Sequence, residues 1–243
     1  MLSNEQFPAY CAHRGLSGLL PENSMAAFGA AYGLGADELE LDIRLTRDHQ
    51  LVVSHDPHIQ RVSQGTGLIA DYTLDELKRM PMGKGNECTA FFATPEEVFK
   101  KFGGSIVMNL HLKECGESSR LIHQLKELIC AYHLEDSVYF AGSPDVLEQM
   151  QRHAPDIHRC AIQLPRDTLP IMEMAERFSC FRVQFWLGMF DRELIDALHA
   201  RGIKCNLYYA DKPEDIRNYL AMGIDVILTN RMDIASSIKG ETI

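Results

Sequence analysis

From residue 105 onward, short apolar runs alternate with amphipathic stretches of about 10 to 16 residues. This alternation is typical of strand–helix units repeated around a parallel sheet. It predicts six strands, at residues 106–112, 138–141, 160–164, 181–186, 204–209 and 226–229. Prolines indicate helix starts near residues 144 and 213, and Gly202 and Gly223 stand where helices are expected to end.

The N-terminal part of the chain adds two more strands, at residues 9–12 and 38–45, separated by a helix from 24 to about 34. Eight such units predict a TIM barrel. A further strand at 51–54 follows too soon for a parallel crossover, so it must return as a hairpin. We therefore expect one α/β domain over 1–243, with an insertion at about 44–93 after the second barrel strand. An open doubly wound sheet is the rival, but no G-x-G-x-x-G follows the first strand.

The net charge and the positions of the cysteines limit which classes of protein the chain can belong to. The chain has 24 Lys and Arg against 34 Asp and Glu, a net charge of −10. This balance argues against a broad nucleic-acid surface or stable membrane association, although a local cationic pocket is compatible with it. The seven cysteines are far apart and form no C-x-x-C pair, which favours reduced, mostly buried thiols. With no signal peptide or apolar span visible, we predict a cytoplasmic protein.

Ionisable residues stand at the ends of three predicted strands: His13 and Arg14, Glu40 and Asp42, and His55 and Asp56. In a TIM barrel, the C-terminal strand ends form the active site. Glu40 and Asp42 are two positions apart and share one face of their strand, where two carboxylates repel each other unless a cation lies between them. The hairpin return should place His55 beside this pair.

Each of these residues also has a structural interpretation. Residues 39–43 could form an amphipathic edge strand with its acids in solvent, His13 a hydrogen-bonded structural histidine, and Arg14 a surface charge. The joint occurrence at three strand ends favours a site.

These residues belong to a longer series of motifs that resembles the glycerophosphodiester phosphodiesterase family. The resemblance spans nearly the whole chain, and its N-terminal motifs together are highly specific. The motifs are His13-Arg14-Gly15, Pro21-Glu22-Asn23-Ser24, Glu40-x-Asp42, Thr46-x-Asp48, Val52-Val53-Ser54-His55-Asp56, Arg61, Gly65-Thr66-Gly67, Leu74-Asp75-Glu76-Leu77, Thr94-Pro95-Glu96-Glu97-Val98, Asn109 to Lys113, Tyr208-Tyr209, and Gly223 to Asn230.

The resemblance implies a TIM barrel and the hydrolysis of one ester bond of a glycerol phosphodiester. It also implies one divalent metal ion and a small-molecule substrate. The roles that it implies are an acid–base pair, His13 and His55; metal ligands, Glu40 and Asp42; phosphate ligands, Arg14 and Lys113; and the rim residue Glu22 at the glycerol end. Glu22 could equally be a helix-dipole carboxylate, and Lys113 could form a salt bridge to Glu40 or Asp42.

Three positions depart from the family pattern. His111 replaces the usual Glu of a Glu-x-Lys motif, Tyr208 replaces a Trp at the glycerol side, and Asn230 replaces an Asp. His111 shares a strand face with Lys113, so we expect it to bind the metal or to donate a hydrogen bond to Asp42 or the phosphate. Exchanging a carboxylate for imidazole favours Mn²⁺, Co²⁺ or Zn²⁺ over Ca²⁺ and Mg²⁺.

The leading expectation is metal-dependent release of glycerol phosphate and an alcohol such as choline or ethanolamine. Water or the substrate's own 2-hydroxyl could be the nucleophile, and either histidine could be the acid. One alternative on the same barrel is a lysophospholipase D-like or related phosphodiester hydrolase. Another is a barrel that binds phosphate esters without catalysis, which the presence of both His13 and His55 disfavours.

Overall fold

A computed structural model describes residues 2, 6–83 and 90–240. Its main sheet has nine strands, eight of them parallel. The described residues contain eleven strands in all, of which β4 and β5 pair in a separate small sheet. In chain order they are β1 (Ala9–His13), β2 (Glu38–Leu45), β3 (Leu51–Val53), β4 (Pro81–Met82), β5 (Ala90–Phe91), β6 (Val107–Leu112), β7 (Val138–Gly142), β8 (His158–Ile162), β9 (Arg182–Trp186), β10 (Lys204–Tyr208) and β11 (Val226–Thr229).

The parallel strands close into a barrel in the order β1-β11-β10-β9-β8-β7-β6-β2, because β1 also pairs with β2. The helices between them are α1 (Met25–Gly33), α2 (Leu74–Lys78), α3 (Pro95–Phe102), α4 (Arg120–Ala131), α5 (Pro144–His153), α6 (Ile171–Arg177), α7 (Arg192–His199), α8 (Pro213–Ala221) and α9 (Met232–Ile238). The predicted TIM barrel is therefore confirmed. Within the described ranges, no helix is both long and apolar enough to cross a membrane.

The predicted hairpin is also confirmed, since β3 pairs antiparallel with the end of β2, from Ile43 opposite Val53 to Leu45 opposite Leu51. β3 and the stretch up to α3 form a small separate core of Val52, Ile59, Ile69, Leu77, Met82, Ala90 and Phe92. This segment coincides with the predicted insertion, of which residues 84–89 lie outside the described part. That the whole chain is one domain stays a prediction.

Two details of the sequence interpretation were imprecise. The strand predicted at 160–164 lies at His158–Ile162, and the short pair β4–β5 was not predicted. The predicted helix ends are confirmed. Gly202 and Gly223 follow α7 and α8 with φ of 73° and 99°, in the left-handed region that is common after a helix. All described cysteines are free. Four are buried, Cys115 is half-buried and Cys130 is exposed, whereas Cys88 lies outside the described residues.

A buried ion pair crosses the interior of the barrel at the N-terminal ends of its strands. Arg182 on β9 donates from Nη1 to Glu38 Oε1 on β2 at 2.7 Å, and both side chains are buried. The Tyr139 hydroxyl donates to the other carboxylate oxygen at 2.9 Å, and the guanidinium lies 4.7 Å from the centre of the Tyr139 ring. Burial, with the Glu38 charge beside it, raises the pKa of Tyr139 well above its usual value.

Glu38→Gln is expected to lower the free energy of unfolding by about 3–5 kcal/mol, because it removes the buried carboxylate charge 2.7 Å from the Arg182 guanidinium. Urea unfolding followed by circular dichroism measures this change. The matched control is Glu176→Gln, which removes an exposed pair with Arg201 at 2.6 Å and should cost less than about 1 kcal/mol. Equal losses in the two variants would contradict this account of the pair.

Candidate active site

A cavity of about 640 Å³ opens at the C-terminal ends of the barrel strands. Seven of the nine residues predicted for the site line it, and their roles there stay predictions. They are His13, Arg14, Glu40, His55, His111, Lys113 and Tyr208. Ile162, Leu164, Pro165, Phe185 and Trp186 form an apolar wall of the same cavity.

The turn after β1 holds its residues in an unusual backbone conformation. Arg14 and Gly15 have φ of 57° and 79°, in the left-handed region that a bulky residue adopts only under strain. A Cβ on Gly15 would lie 2.6 Å from the main-chain carbon of Ala27, so no other residue fits there without a shift of α1. The turn directs the main-chain N–H of Arg14 to Glu40 Oε2 at 3.0 Å. This hydrogen bond fixes the Glu40 carboxylate relative to the main chain of the turn.

Glu40, Asp42 and His111 form an acidic cluster with one imidazole. One donor atom from each lies within 4.8 Å of the others. His111 Nδ1 is 3.2 Å from Asp42 Oδ1 and 3.6 Å from Glu40 Oε1. Both acids are buried, so the interpretation of residues 39–43 as an edge strand facing solvent is wrong. Two carboxylates and an imidazole are a donor set that suits a divalent cation.

Cationic side chains compensate the charge of this cluster. Lys113 Nζ lies 2.9 Å from both Asp42 Oδ1 and His111 Nδ1, and Arg14 Nε lies 3.3 Å from Asp42 Oδ2. Burial alone would raise the pKa of Asp42, but Lys113, His111 and Arg14 outweigh it and hold that pKa well below its ordinary value. Asp42 Oδ1 is buried and accepts no hydrogen bond of regular geometry from the described residues, although Lys113 Nζ lies 2.9 Å from it.

Asn23 orients Asp42 from the other side. Its side-chain Nδ2 donates to Asp42 Oδ2 at 2.8 Å, and its Oδ1 accepts from the main-chain N–H of Asp42 at 3.3 Å. Asn23 has φ of 57°, a left-handed conformation that asparagine tolerates better than most residues. Position 23 therefore requires both a short polar side chain and a left-handed backbone conformation.

The two histidines have different partners. His13 is buried, and its Nδ1 lies 2.7 Å from Asn230 Oδ1. His55 is partly exposed, and its Nδ1 lies 2.7 Å from Asp56 Oδ1. Burial lowers the pKa of both imidazoles, opposed at His13 mainly by Glu40 and at His55 mainly by Asp42. Both rings line the cavity and so can exchange protons with a bound molecule.

Arg61, which lies in the insertion, forms ion pairs with two acidic residues at the rim of the pocket. It binds Asp56 through Nε, and its Nη1 and Nη2 donate to Glu22 at 2.5 and 2.8 Å. Glu22 also accepts from Arg14 at 3.0 Å. Burial would raise the pKa of Glu22, but Arg61 and Arg14 lower it. The insertion therefore supports both His55 and Arg14, because Arg61 binds the two carboxylates that contact them.

Comparison with known proteins shows the family to which the chain belongs. The model of the glycerophosphoryl diester phosphodiesterase family matches residues 13–234. The chain belongs to this family. It is similar to a glycerophosphodiester phosphodiesterase of Caldanaerobacter subterraneus, with 31% identity, covering 90% of this chain and 92% of the relative.

Solved structures of phosphodiesterases share the fold. One is a glycerophosphodiester phosphodiesterase from Agrobacterium tumefaciens, with a TM-score of 0.82, 22% identity and coverage of 94% of this chain and 99% of that one. Another is an Oleispira antarctica phosphodiesterase in complex with the product sn-glycerol-3-phosphate, with a TM-score of 0.82 and 24% identity over 96% and 98% of the chains. Their likeness supports the TIM barrel of this phosphodiesterase.

Two family positions, Glu22 and Lys113, form ion pairs with charged neighbours. Glu22 contacts Arg14 and Arg61 and is outside the group of possible metal donors, so its contact with substrate stays a prediction. Lys113 does form the salt bridge to Asp42 that was its structural alternative. Its position in the cavity still allows it to meet a phosphate.

Sequence reasoning assigned no role to several residues that support the site. These residues are Asn23, Asp56, Arg61 and Asp211. Asn23, Asp56 and Arg61 lie in or beside the quoted N-terminal motifs, which was an available signal for them. Asp211 lies just after the Tyr208-Tyr209 motif, and no sequence signal distinguished it.

Proposed function

We propose that this member of the family hydrolyses glycerophosphodiesters with His13 and His55 as the acid–base pair. The protein is a phosphodiesterase, and its products are glycerol phosphate and an alcohol. The observation that carries the proposal is the convergence of two imidazoles, two cations and an acidic cluster on one cavity. One imidazole takes a proton from the nucleophile, and the other gives a proton to the leaving alkoxide.

Arg14 and Lys113 are proposed to bind the phosphate. A phosphodiester carries a negative charge that repels a nucleophile and increases on the non-bridging oxygens during attack. Both cations line the cavity, and both are already oriented by Asp42. They therefore meet the substrate in a fixed geometry, so little ordering is needed on binding.

Glu40, Asp42 and His111 are proposed to hold one divalent metal ion. Such an ion would act as a Lewis acid on a phosphoryl oxygen. The set fits because its donor atoms converge and because two carboxylates with an imidazole are ligand types that a divalent cation accepts. Since His111 supplies nitrogen where a carboxylate would supply oxygen, we propose a transition metal in preference to Ca²⁺ or Mg²⁺.

The apolar wall, together with Tyr208 beside it, is proposed to receive the organic part of the substrate. Trp186 and Tyr208 have ring centroids 5.0 Å apart, and Trp186 is 38% exposed. A quaternary ammonium group such as choline can pack on such rings. The same wall, with Leu164 and Pro165, is the observation that makes a lysophospholipid the second candidate substrate.

The cysteines support a cytoplasmic location as part of the proposal. The six described thiols form no disulfide, as is usual in a reducing compartment.

A substrate panel tests the proposed reaction. Glycerophosphocholine, glycerophosphoethanolamine, lysophosphatidylcholine and bis(p-nitrophenyl) phosphate are supplied with Mg²⁺, Ca²⁺, Mn²⁺ or Co²⁺, and products are identified by ³¹P NMR. We expect glycerol 3-phosphate, and a kcat/KM at least roughly tenfold higher for a soluble glycerophosphodiester than for the lysolipid. The His55→Ala variant, purified identically, controls for contaminating activity. Cleavage of the chromogenic diester alone would contradict the proposal, and preference for the lysolipid would establish the second candidate.

A further inference from the structure

A chain of hydrogen bonds leads from Asp211 through Asn230 to His13. Asp211 lies between β10 and α8, and Asn230 directly follows β11. Asn230 Nδ2 donates to Asp211 Oδ2 at 2.8 Å, and Asn230 Oδ1 lies 2.7 Å from His13 Nδ1. The chain therefore joins the loops after two barrel strands to an imidazole of the active site.

Asp211 determines which end of the Asn230 amide faces His13. A carboxylate only accepts hydrogen bonds, so the amide NH₂ must face Asp211 and the carbonyl oxygen must face the imidazole. Asp211 is itself held in place, because its Oδ1 accepts from the main-chain N–H of Asn230 at 2.7 Å and from the Thr229 hydroxyl at 3.0 Å. The orientation of the amide is thus fixed by groups other than His13.

The amide orientation in turn selects the tautomer of neutral His13. The Asn230 oxygen accepts a hydrogen bond, so His13 Nδ1 must carry the hydrogen. Its Nε2 then has a free lone pair. If the amide were reversed, its NH₂ would donate to Nδ1 and move the hydrogen to Nε2, which could then accept no proton. His55 differs here, because its Nδ1 partner, Asp56, is a carboxylate and needs no such orientation.

We propose that Asp211 is a positioning residue, which holds the Asn230 amide so that neutral His13 keeps its hydrogen on Nδ1 and a lone pair on Nε2. In the reaction, a proton from the nucleophile moves to Nε2 and forms an imidazolium that still donates from Nδ1 to Asn230. Asp211 touches no reacting atom. The inference deepens the proposed function and rests on it for the role of His13.

Exchanging the two side chains tests the proposal. In Asp211→Asn, the amide loses its acceptor-only partner, and kcat for glycerophosphocholine should fall at least roughly tenfold with KM little changed. Asn230→Asp places two carboxylates against each other and should also lower kcat. The double variant restores one carboxylate and one amide in reversed order, with the carboxylate accepting directly from His13, so kcat should return to within roughly fivefold of wild type. The control is Asp215→Asn, whose carboxylate makes no hydrogen bond to Asn230 or His13 within the described chain.

Imidazole ¹⁵N NMR of the resting protein supplies a second measurement, with His13 assigned by its loss in His13→Gln. Wild type should show the Nδ1–H tautomer, and Asp211→Asn should show a mixture, which a purely structural role would not produce. The proposal is overturned if wild-type His13 carries its hydrogen on Nε2, or if the double variant is no more active than Asp211→Asn. The NMR needs no turnover, so a wrong substrate assignment would leave its result interpretable. If Asp211→Asn does not fold, the wild-type tautomer alone decides.

Discussion

Replacing His13 or His55 with alanine is expected to lower kcat by roughly 10²-fold or more, because each imidazole is proposed to perform one of the two proton transfers. Replacing both should cost little beyond the worse single change, since residues that act as a unit are not additive. The structure supports this expectation by placing both rings on one cavity, beside the same acidic cluster. Rapid-quench or steady-state measurements of kcat for the three variants provide the test.

Two other histidines give a matched control for the loss of imidazoles. His123 on α4 and His153 on α5 have ring centroids 4.8 Å apart and do not line the cavity. His123→Ala and His153→Ala should leave kcat unchanged within about twofold, because surface substitutions seldom affect more than local stability. The acid–base assignment would be wrong if His13→Ala or His55→Ala behaved like these controls. It would be incomplete if the double variant lost the product of the single effects.

The barrel and the position of its site were predictable because both depend on local sequence patterns. Apolar runs of strand length, with helices between them, specify the parallel barrel, and the barrel then fixes where strand ends meet. Glu40 and Asp42 share a face simply because side chains alternate along β2. The hairpin return of β3 places His55 near them for an equally local reason, the short connection after β2.

The partners of these residues were not predictable in the same way. His13 binds Asn230, which is 217 positions away along the chain, and nothing in either local sequence identifies the other. The sequence offered the glycerol end of the rim or the helix dipole as the surroundings of Glu22, and only the three-dimensional position of Arg61 shows that Glu22 binds arginines. Sequence patterns locate strand ends, whereas such hydrogen bonds depend on side-chain orientation across separate loops.

Exhaustive removal of divalent metal is expected to abolish turnover, and Glu40→Gln or Asp42→Asn should lower both metal affinity and kcat by at least roughly 10²-fold. The reason is that both carboxylates are buried with their donor atoms converging on His111. Isothermal titration with Mn²⁺ measures affinity separately from activity. Asp75→Asn is the matched control, because its carboxylate is 86% exposed on α2. Full activity of the metal-free protein or of both site variants would contradict a metal site here.

His111 makes this prediction specific to the present chain. Its imidazole stands within 3.6 Å of both acids, where a nitrogen ligand favours Mn²⁺, Co²⁺ or Zn²⁺. His111→Glu would supply an oxygen ligand and a further negative charge, so the variant should gain activity with Ca²⁺ or Mg²⁺ relative to wild type. Initial rates against metal identity for both proteins measure the change. If wild type works best with Ca²⁺ and His111→Ala binds metal as tightly as wild type does, His111 is not a ligand. Its role would then be the hydrogen bond to Asp42 that the 3.2 Å separation allows.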